Sequence, residues 1–172
     1  SEPVSVKPVS CGLKKVPIRG TTKLSGRERF TLMSLEIEAK LKVDTHEAVR
    51  TRLIGLGARR IGRVREINHI FDNARRSLLA SDEGLRVREF RVMEGSPPPA
   101  TLTYKGPRSE SPFKSRPEIE VEVSDAGNAV DLLQSLGFEE VVCFEKDRES
   151  YRLGPCRIEL DQAPQLGWFI EV

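Results

Sequence analysis

Charged side chains recur at every second position along several stretches of this chain. Glu36, Glu38 and Lys40 form one such row, and Arg86 with Arg88 another. Arg116, Glu118, Glu120 and Glu122 make a third, Lys146 with Arg148 a fourth, and Arg157, Glu159 and Asp161 a fifth. The positions between them are mostly apolar: Ile37, Ala39, Val87, Ile119, Val121, Ile158 and Leu160. Successive side chains of a β-strand point to opposite faces, so each charged row shares one face. One strand of this kind reads as part of a half-exposed sheet. Repetition over so many strands weighs differently, because two helices are too few to cover all the apolar faces. A closed barrel with its charges turned inward satisfies the pattern. Charges placed there must be paired, solvated or matched by a charged ligand. Lys and Arg match phosphate oxygens. Carboxylates match Mg²⁺ or Mn²⁺, which prefer oxygen ligands. Both sets in one cavity describe a site for a metal-bound polyphosphate.

The elements that would position these rows can be read from period and punctuation. A strand is expected over Leu35–Val43, followed by a helix capped by Asp44 or Thr45 and ended by Gly57. Strands are expected around Ile61–Phe71, Leu85–Phe90, Ala100–Lys105 and Arg116–Val123. A second helix runs over Ala126–Leu136, and strands follow at Val141–Leu153, Cys156–Asp161 and Trp168–Val172. The expected fold class is α+β, mainly antiparallel. Its core is a closed eight-stranded β-barrel, or tunnel, with a charged interior and a few flanking helices. Residues 1–32 are rich in Pro, Ser, Gly, Lys and Arg without a sustained period. They read as a flexible extension, leaving 33–172 as the domain.

Composition narrows the function classes. The 172 residues are 31% charged, yet the formal net charge is only +2. A nucleic-acid binder carries an uncompensated basic surface, so no nucleic-acid partner is expected. There is no apolar run of membrane-spanning length and no secretory signal, so no membrane association is expected. Three widely spaced cysteines suggest neither a zinc ribbon nor a disulfide framework, and a cytoplasmic location follows. Only two histidines are present, His46 and His69, far apart in sequence, which argues against zinc chemistry. No glycine-rich phosphate loop occurs, so side chains would have to hold any phosphate. Several residues read as structural or solvated. His46 is expected at the surface, and His69 in a structural place, with the mouth of the tunnel as its alternative. Cys143 and Cys156 are expected as buried packing groups. Arg59, Arg60, Arg63 and Arg65 read as a solvated strand edge, and Glu89 and Arg91 as surface residues. Lys42, Glu122 and Arg152 read as solvated charges near strand ends.

The segment Glu36-Ile37-Glu38-Ala39-Lys40 resembles the E-x-E-x-K signature of the CYTH superfamily, the triphosphate tunnel metalloenzymes. Further segments follow in the family's order: Leu85-Arg86-Val87-Arg88, Leu102-Thr103-Tyr104-Lys105-Gly106-Pro107 and Arg116-Pro117-Glu118-Ile119-Glu120. Lys146-Asp147-Arg148, Ile158-Glu159-Leu160-Asp161 and Leu166-Gly167-Trp168-Phe169-Ile170-Glu171 complete the set. The Thr-Tyr-Lys-Gly segment and the final Leu-Gly-x-Phe-Ile-Glu are similar to the class IV adenylyl cyclase-like branch. The resemblance implies that Lys40, Arg86, Arg88, Lys105, Arg116, Lys146 and Arg148 grip a triphosphate. It implies that Glu36, Glu38, Glu120, Asp161 and Glu171 hold Mg²⁺ or Mn²⁺, with Glu118 and Glu159 as helpers. Glu36, Glu38, Lys40, Lys105 and Arg148 would carry the chemistry. Family members commonly place a further carboxylate two residues after the position of Glu171, beyond Val172.

Two reactions share such a site. In a cyclase, the ribose 3′-hydroxyl of ATP attacks the α-phosphorus and pyrophosphate leaves. In a triphosphatase, water attacks the terminal phosphorus of inorganic triphosphate, thiamine triphosphate or a nucleoside triphosphate. Branch similarity favours the cyclase. A module that binds polyphosphate or nucleotide without turnover is the reading from another class. The resemblance also implies a homodimer, with the outer apolar sheet surface as the natural contact.

Overall fold

Val, Ile, Thr and Tyr alternate with charged residues through most of the chain, a composition that suits a pleated surface with two unlike faces. The computed structural model describes residues 39–108, 116–164 and 166–172, and the backbone alone of 17–20, 31–37 and 115. The strands are β1 (Pro17–Gly20), β2 (Thr31–Ile37), β3 (Lys40–Val43), β4 (Arg59–Asn73), β5 (Gly84–Glu94) and β6 (Ala100–Lys105), then β7 (Ser115–Val123), β8 (Phe138–Leu153), β9 (Cys156–Ala163) and β10 (Gly167–Glu171). The helices are α1 (Glu47–Gly55), α2 (Ser77–Ala80) and α3 (Ala126–Ser135). The strands form one sheet in the order β1-β2-β7-β6-β5-β4-β8-β9-β10-β3. Every neighbouring pair is antiparallel. With β1 set aside and β2 and β3 taken as halves of one segment, the sheet has the eight strands expected.

Closure is different. The ladder ends at β1 and β3, and no hydrogen bond among the described residues joins those ends, so the bonds form an open sheet instead of a closed barrel. Chain continuity nevertheless ties the two sides. Ile37 on β2 pairs with Ser115 of β7. Two residues later, Ala39 exchanges a pair of 3.1 Å backbone hydrogen bonds with Val172, at the end of β10. β1 and the start of β2 fall within the stretch read from sequence as an extension.

The helices cover the outer, apolar face in two places. Ala126, Ala129 and Leu133 of α3 pack on Phe71 and Val87. Leu53 of α1 packs on Tyr151, Ile158 and Leu160. Asp125 caps α3 by accepting from the Asn128 N–H at 2.7 Å, and Gly137, at φ +88°, lets the chain leave. The single turn α2 carries no period that sequence could reveal. It is held by the buried Asp72 carboxylate, which accepts from the Leu78 and Leu79 N–H groups.

Three outer-face expectations need correction. His46 is buried at 2% exposure, not at the surface: its Nε2 lies 3.0 Å from the Phe169 carbonyl and its ring meets Trp168 edge-on. Burial lowers its pKa. The basic stretch of β4 lies mid-sheet, between β5 and β8, because that long strand is central. Arg63 and Arg65 both reach Asp147, at 2.9 and 2.8 Å, and Arg60 joins Glu94 and Glu149. Cys143 is exposed and Cys156 only half-buried, so neither is a buried packing group.

Glu149 ties α1 to the sheet. It accepts from Arg50 of α1 at 2.9 Å, Arg60 of β4 at 2.6 Å and the Tyr151 hydroxyl at 2.6 Å. Burial would raise its pKa, but these hydrogen bonds override it and hold the group at about 2, against an ordinary 4.5. A carboxylate with a depressed folded pKa stabilises above its unfolded value and loses that contribution as pH falls toward the folded one. Glu149→Gln is therefore expected to cost about 2 kcal/mol near neutrality. In thermal melts the gap from wild type should close between pH 4.5 and 2. A gap independent of pH would show that Glu149 acts through shape alone.

Candidate active site

The inner face gathers the charged rows. Lys40, Arg86, Arg88, Lys105, Lys146 and Arg148 line one cavity of about 510 Å³. Glu118, Glu120, Asp161 and Glu171 line it too. Register explains the convergence, because residues directly opposite each other on neighbouring strands share a face. Arg148 stands opposite Asp161, Lys105 opposite Glu118, Thr103 opposite Glu120, and Lys40 opposite Glu171. Glu36 lies opposite Arg116 in the β2–β7 ladder, while Glu38 lies outside the described residues.

These charges pair with one another. Lys146 Nζ donates to Asp161 at 2.5 Å, and Arg148 grips both Asp161 oxygens at 2.7 Å. Arg148 also reaches Glu171, and Lys40 donates to Glu171 at 2.5 Å. Lys105 lies 3.0 Å from Glu118. Burial alone would raise the Asp161 pKa, but Arg148 and Lys146 together hold it well below the usual carboxylate range. Arg86 is the least compensated cation. Its nearest carboxylate, Glu120, is 3.9 Å away, and its buried Nε has no partner among the described residues. Burial, then the charge of Arg88, pushes its pKa down to about 10. The only side-chain hydrogen bond of Arg86 among the described residues is a long one, 3.4 Å, from Nη2 to the Thr103 hydroxyl.

Two interior residues carry no weight in the sequence reading, Glu66 and Asn68 on β4. Both are 1% exposed. Glu66 sits 3.3 Å from Lys146, 3.3 Å from Arg148 and 3.5 Å from Arg88. Burial works against its ionisation, but those three cations win and lower its pKa. Asn68 accepts from Arg88 at 3.1 Å, and its Nδ2 has no partner among the described residues. The parity of Glu66 and Asn68 was the available signal, hidden because Arg63 and Arg65 on the other face made β4 read as a basic edge.

Arg116 is not brought to this cavity. Its guanidinium donates to the carbonyls of Gly106, at 2.8 Å, and Asp82. It fastens the start of β7 to the end of β6, where a Cβ on Gly106 would come within 2.9 Å of Pro117. His69 faces outward, away from any tunnel mouth, with Glu140 at 2.7 Å. A second cavity of about 580 Å³ shares Arg88, Glu120 and Arg148 with the first. Ile61, Phe90, Pro97–Pro99, Glu122 and Glu159 line its far side. Phe144, Leu166 and Phe169 form an apolar rim on the first. The two cavities are therefore unlike in lining and meet at Arg88, Glu120 and Arg148.

A model of the CYTH domain matches residues 34–172. The chain belongs to the CYTH family. A Methanocaldococcus jannaschii protein named "Putative adenylate cyclase MJ0240" is 32% identical over 138 residues, covering 80% of this chain and 75% of that protein. Among solved structures, the PH1819 protein of Pyrococcus horikoshii is 32% identical, with a TM-score of 0.66 over 78% of this chain and 75% of its own. The Hippeastrum adenylyl cyclase HpAC1, named as putative and described as having a dominant triphosphatase activity, is 22% identical. Its TM-score is 0.61, covering 78% of this CYTH chain and 77% of that one, and at that identity it speaks to the fold alone. The matched span contains the whole charged inner face.

Proposed function

We propose that this CYTH chain is a metal-dependent enzyme that binds a nucleoside triphosphate in its polar interior and converts ATP to cyclic AMP and pyrophosphate. The observation that carries this reading is the single cavity in which six cations and four carboxylates meet an apolar rim. The cations suit the triphosphate, and Phe144, Leu166 and Phe169 suit a nucleobase, which inorganic triphosphate lacks. In this reading the strand ring is closed into a tunnel by the segment that carries β2 into β3. Lys40, Arg86, Arg88, Lys105, Lys146 and Arg148 neutralise the phosphates, and Arg116 holds Gly106, next to Lys105, in place. The donor set of the carboxylates is oxygen only, which fits Mg²⁺ or Mn²⁺. Glu120, Asp161 and Glu171, with Glu36 and Glu38, would hold that ion, which supplies charge neutralisation at the reacting phosphate.

Binding exchanges partners. Carboxylates that now face Lys and Arg would hold the divalent cation, and the Lys and Arg side chains so released would take phosphate oxygens, leaving no charge bare. The side chains align the 3′-oxygen with the α-phosphorus. The new bond forms there, the bond to the β-phosphate oxygen breaks, pyrophosphate leaves and the hydroxyl proton is released.

A triphosphatase is the second reading. The cavity beyond Arg88 and Arg148 gives water a route to a terminal phosphorus, and the Hippeastrum protein sets a precedent within the fold. Product analysis after incubation with ATP, inorganic triphosphate or thiamine triphosphate, with Mg²⁺ or Mn²⁺ and chelator controls, separates the readings. Cyclic AMP with pyrophosphate supports the cyclase. Orthophosphate from any substrate supports the hydrolase. Tight binding without product overturns both and leaves a binding module.

A further inference from the structure

The outer face carries a group of side chains that the interior chemistry does not use. His69 on β4 stands directly opposite Cys143 on β8. Glu140 is three residues before Cys143, and in a regular strand it would face the other way. A bulge corrects this. Ile70 pairs with Val142 but Phe71 pairs with Glu140, so Val141 is the extra residue and Glu140 is swung onto the face of Cys143. One ring nitrogen of His69, one Glu140 oxygen and the Cys143 sulfur consequently lie within 4.8 Å of one another. His69 Nδ1 and Glu140 are already 2.7 Å apart.

We propose that His69, Glu140 and Cys143 form a binding site for a transition-metal ion of the Zn²⁺ class, distinct from the oxygen-lined interior. Imidazole nitrogen, carboxylate oxygen and thiolate sulfur are the three donor types that zinc takes at about 2.0–2.3 Å, usually four-coordinate. Three protein donors leave one position for water or a small ligand. Mg²⁺, which demands oxygen, is a poor match for this set. The strands to either side make the frame rigid: β4 is paired along both edges, and Val87, next to His69 on β5, is fully buried under α3. Glu140 and Cys143 are accessible to an incoming ion, and closing the group needs only side-chain rotation. Ligation releases the thiol proton to solvent. Sequence spacing hid the site, because it depends on a cross-strand pair and a bulge, neither of which leaves a short motif.

The test uses the full chain and Co²⁺ as the probe, with Zn²⁺ as competitor. A thiolate–Co²⁺ charge-transfer band in the near ultraviolet, saturating at one equivalent and bleached by Zn²⁺, is expected. Among the described residues the lining of the interior cavities holds no cysteine and cannot give that band. Cys143→Ser should abolish it, His69→Ala and Glu140→Gln should weaken binding by at least about tenfold, and Cys156→Ser and Cys11→Ser should leave it intact. Triphosphate turnover should be unchanged in Cys143→Ser, which separates this site from the proposed reaction. As a second measurement, Zn²⁺ should protect Cys143 but not Cys156 from alkylation. No band in the wild type, a band that survives Cys143→Ser, or alkylation of Cys143 unaffected by Zn²⁺ overturns the proposal.

Discussion

Arg148→Ala is expected to lower kcat/KM for the triphosphate by about a thousandfold, the scale of an arginine that stabilises a phosphoryl transition state. Arg148 lines both cavities and so stands where they meet. Its fork is already set for bidentate contact, since it holds both oxygens of Asp161 at 2.7 Å. Arg148→Lys should recover little, because a point charge cannot make the planar two-point contact. The substitution also removes the main partner of two buried carboxylates, Asp161 and Glu66, so some loss of stability is expected with the loss of activity. Circular dichroism and melting temperature therefore accompany the kinetics, and Arg148→Lys, which keeps a charge there, is the control for folding. If both variants fold and turn over within tenfold of wild type, the interior is not where triphosphate chemistry happens.

The alternation of charged and apolar residues was enough to locate most of the strands, because a half-buried strand writes its two faces into sequence as period two. Val87, between Arg86 and Arg88, is fully buried on the outer side while its neighbours turn inward, as their parity required. Lys146 and Arg148 met Asp161 for the same reason. What parity leaves open is which face of a strand is inside. On β4 the basic residues of the outer face were conspicuous, and the inner-face Glu66 and Asn68 were not. Sequence also gave no warning that Arg116 would be drawn to the Gly106 and Asp82 carbonyls, since those backbone partners lie 10 and 34 positions away and leave no local pattern. Closure is a further case. Whether a strand ladder meets itself depends on twist and stagger accumulated over every pair, which no local pattern records. The bulge at Val141 is of the same kind, a single extra residue that changes facing without changing composition.

Glu66→Gln should lower the stability of the fold yet raise its affinity for anions. Glutamine keeps the shape but removes the negative charge that Lys146, Arg148 and Arg88 share at 3.3–3.5 Å. Breaking a buried charge cluster from one side costs about 3–5 kcal/mol, because the remaining charges stay buried and under-compensated. For a domain of this size that is a fall in Tm on the order of 10 °C. The linkage sign follows from the depressed pKa of Glu66. Its contribution is present above the ordinary carboxylate value and lost as pH falls below it, so variant and wild type should converge in acid. The same deficit makes a prediction that a packing defect would not. Inorganic triphosphate, added without metal, supplies the missing negative charge and should raise Tm more in Glu66→Gln than in wild type. Equal shifts in the two proteins would mean that Glu66 does not set the charge balance of the site. A larger shift in the variant would mean that the interior is held as a reservoir of cations, restrained by their own carboxylates until a stronger anion enters.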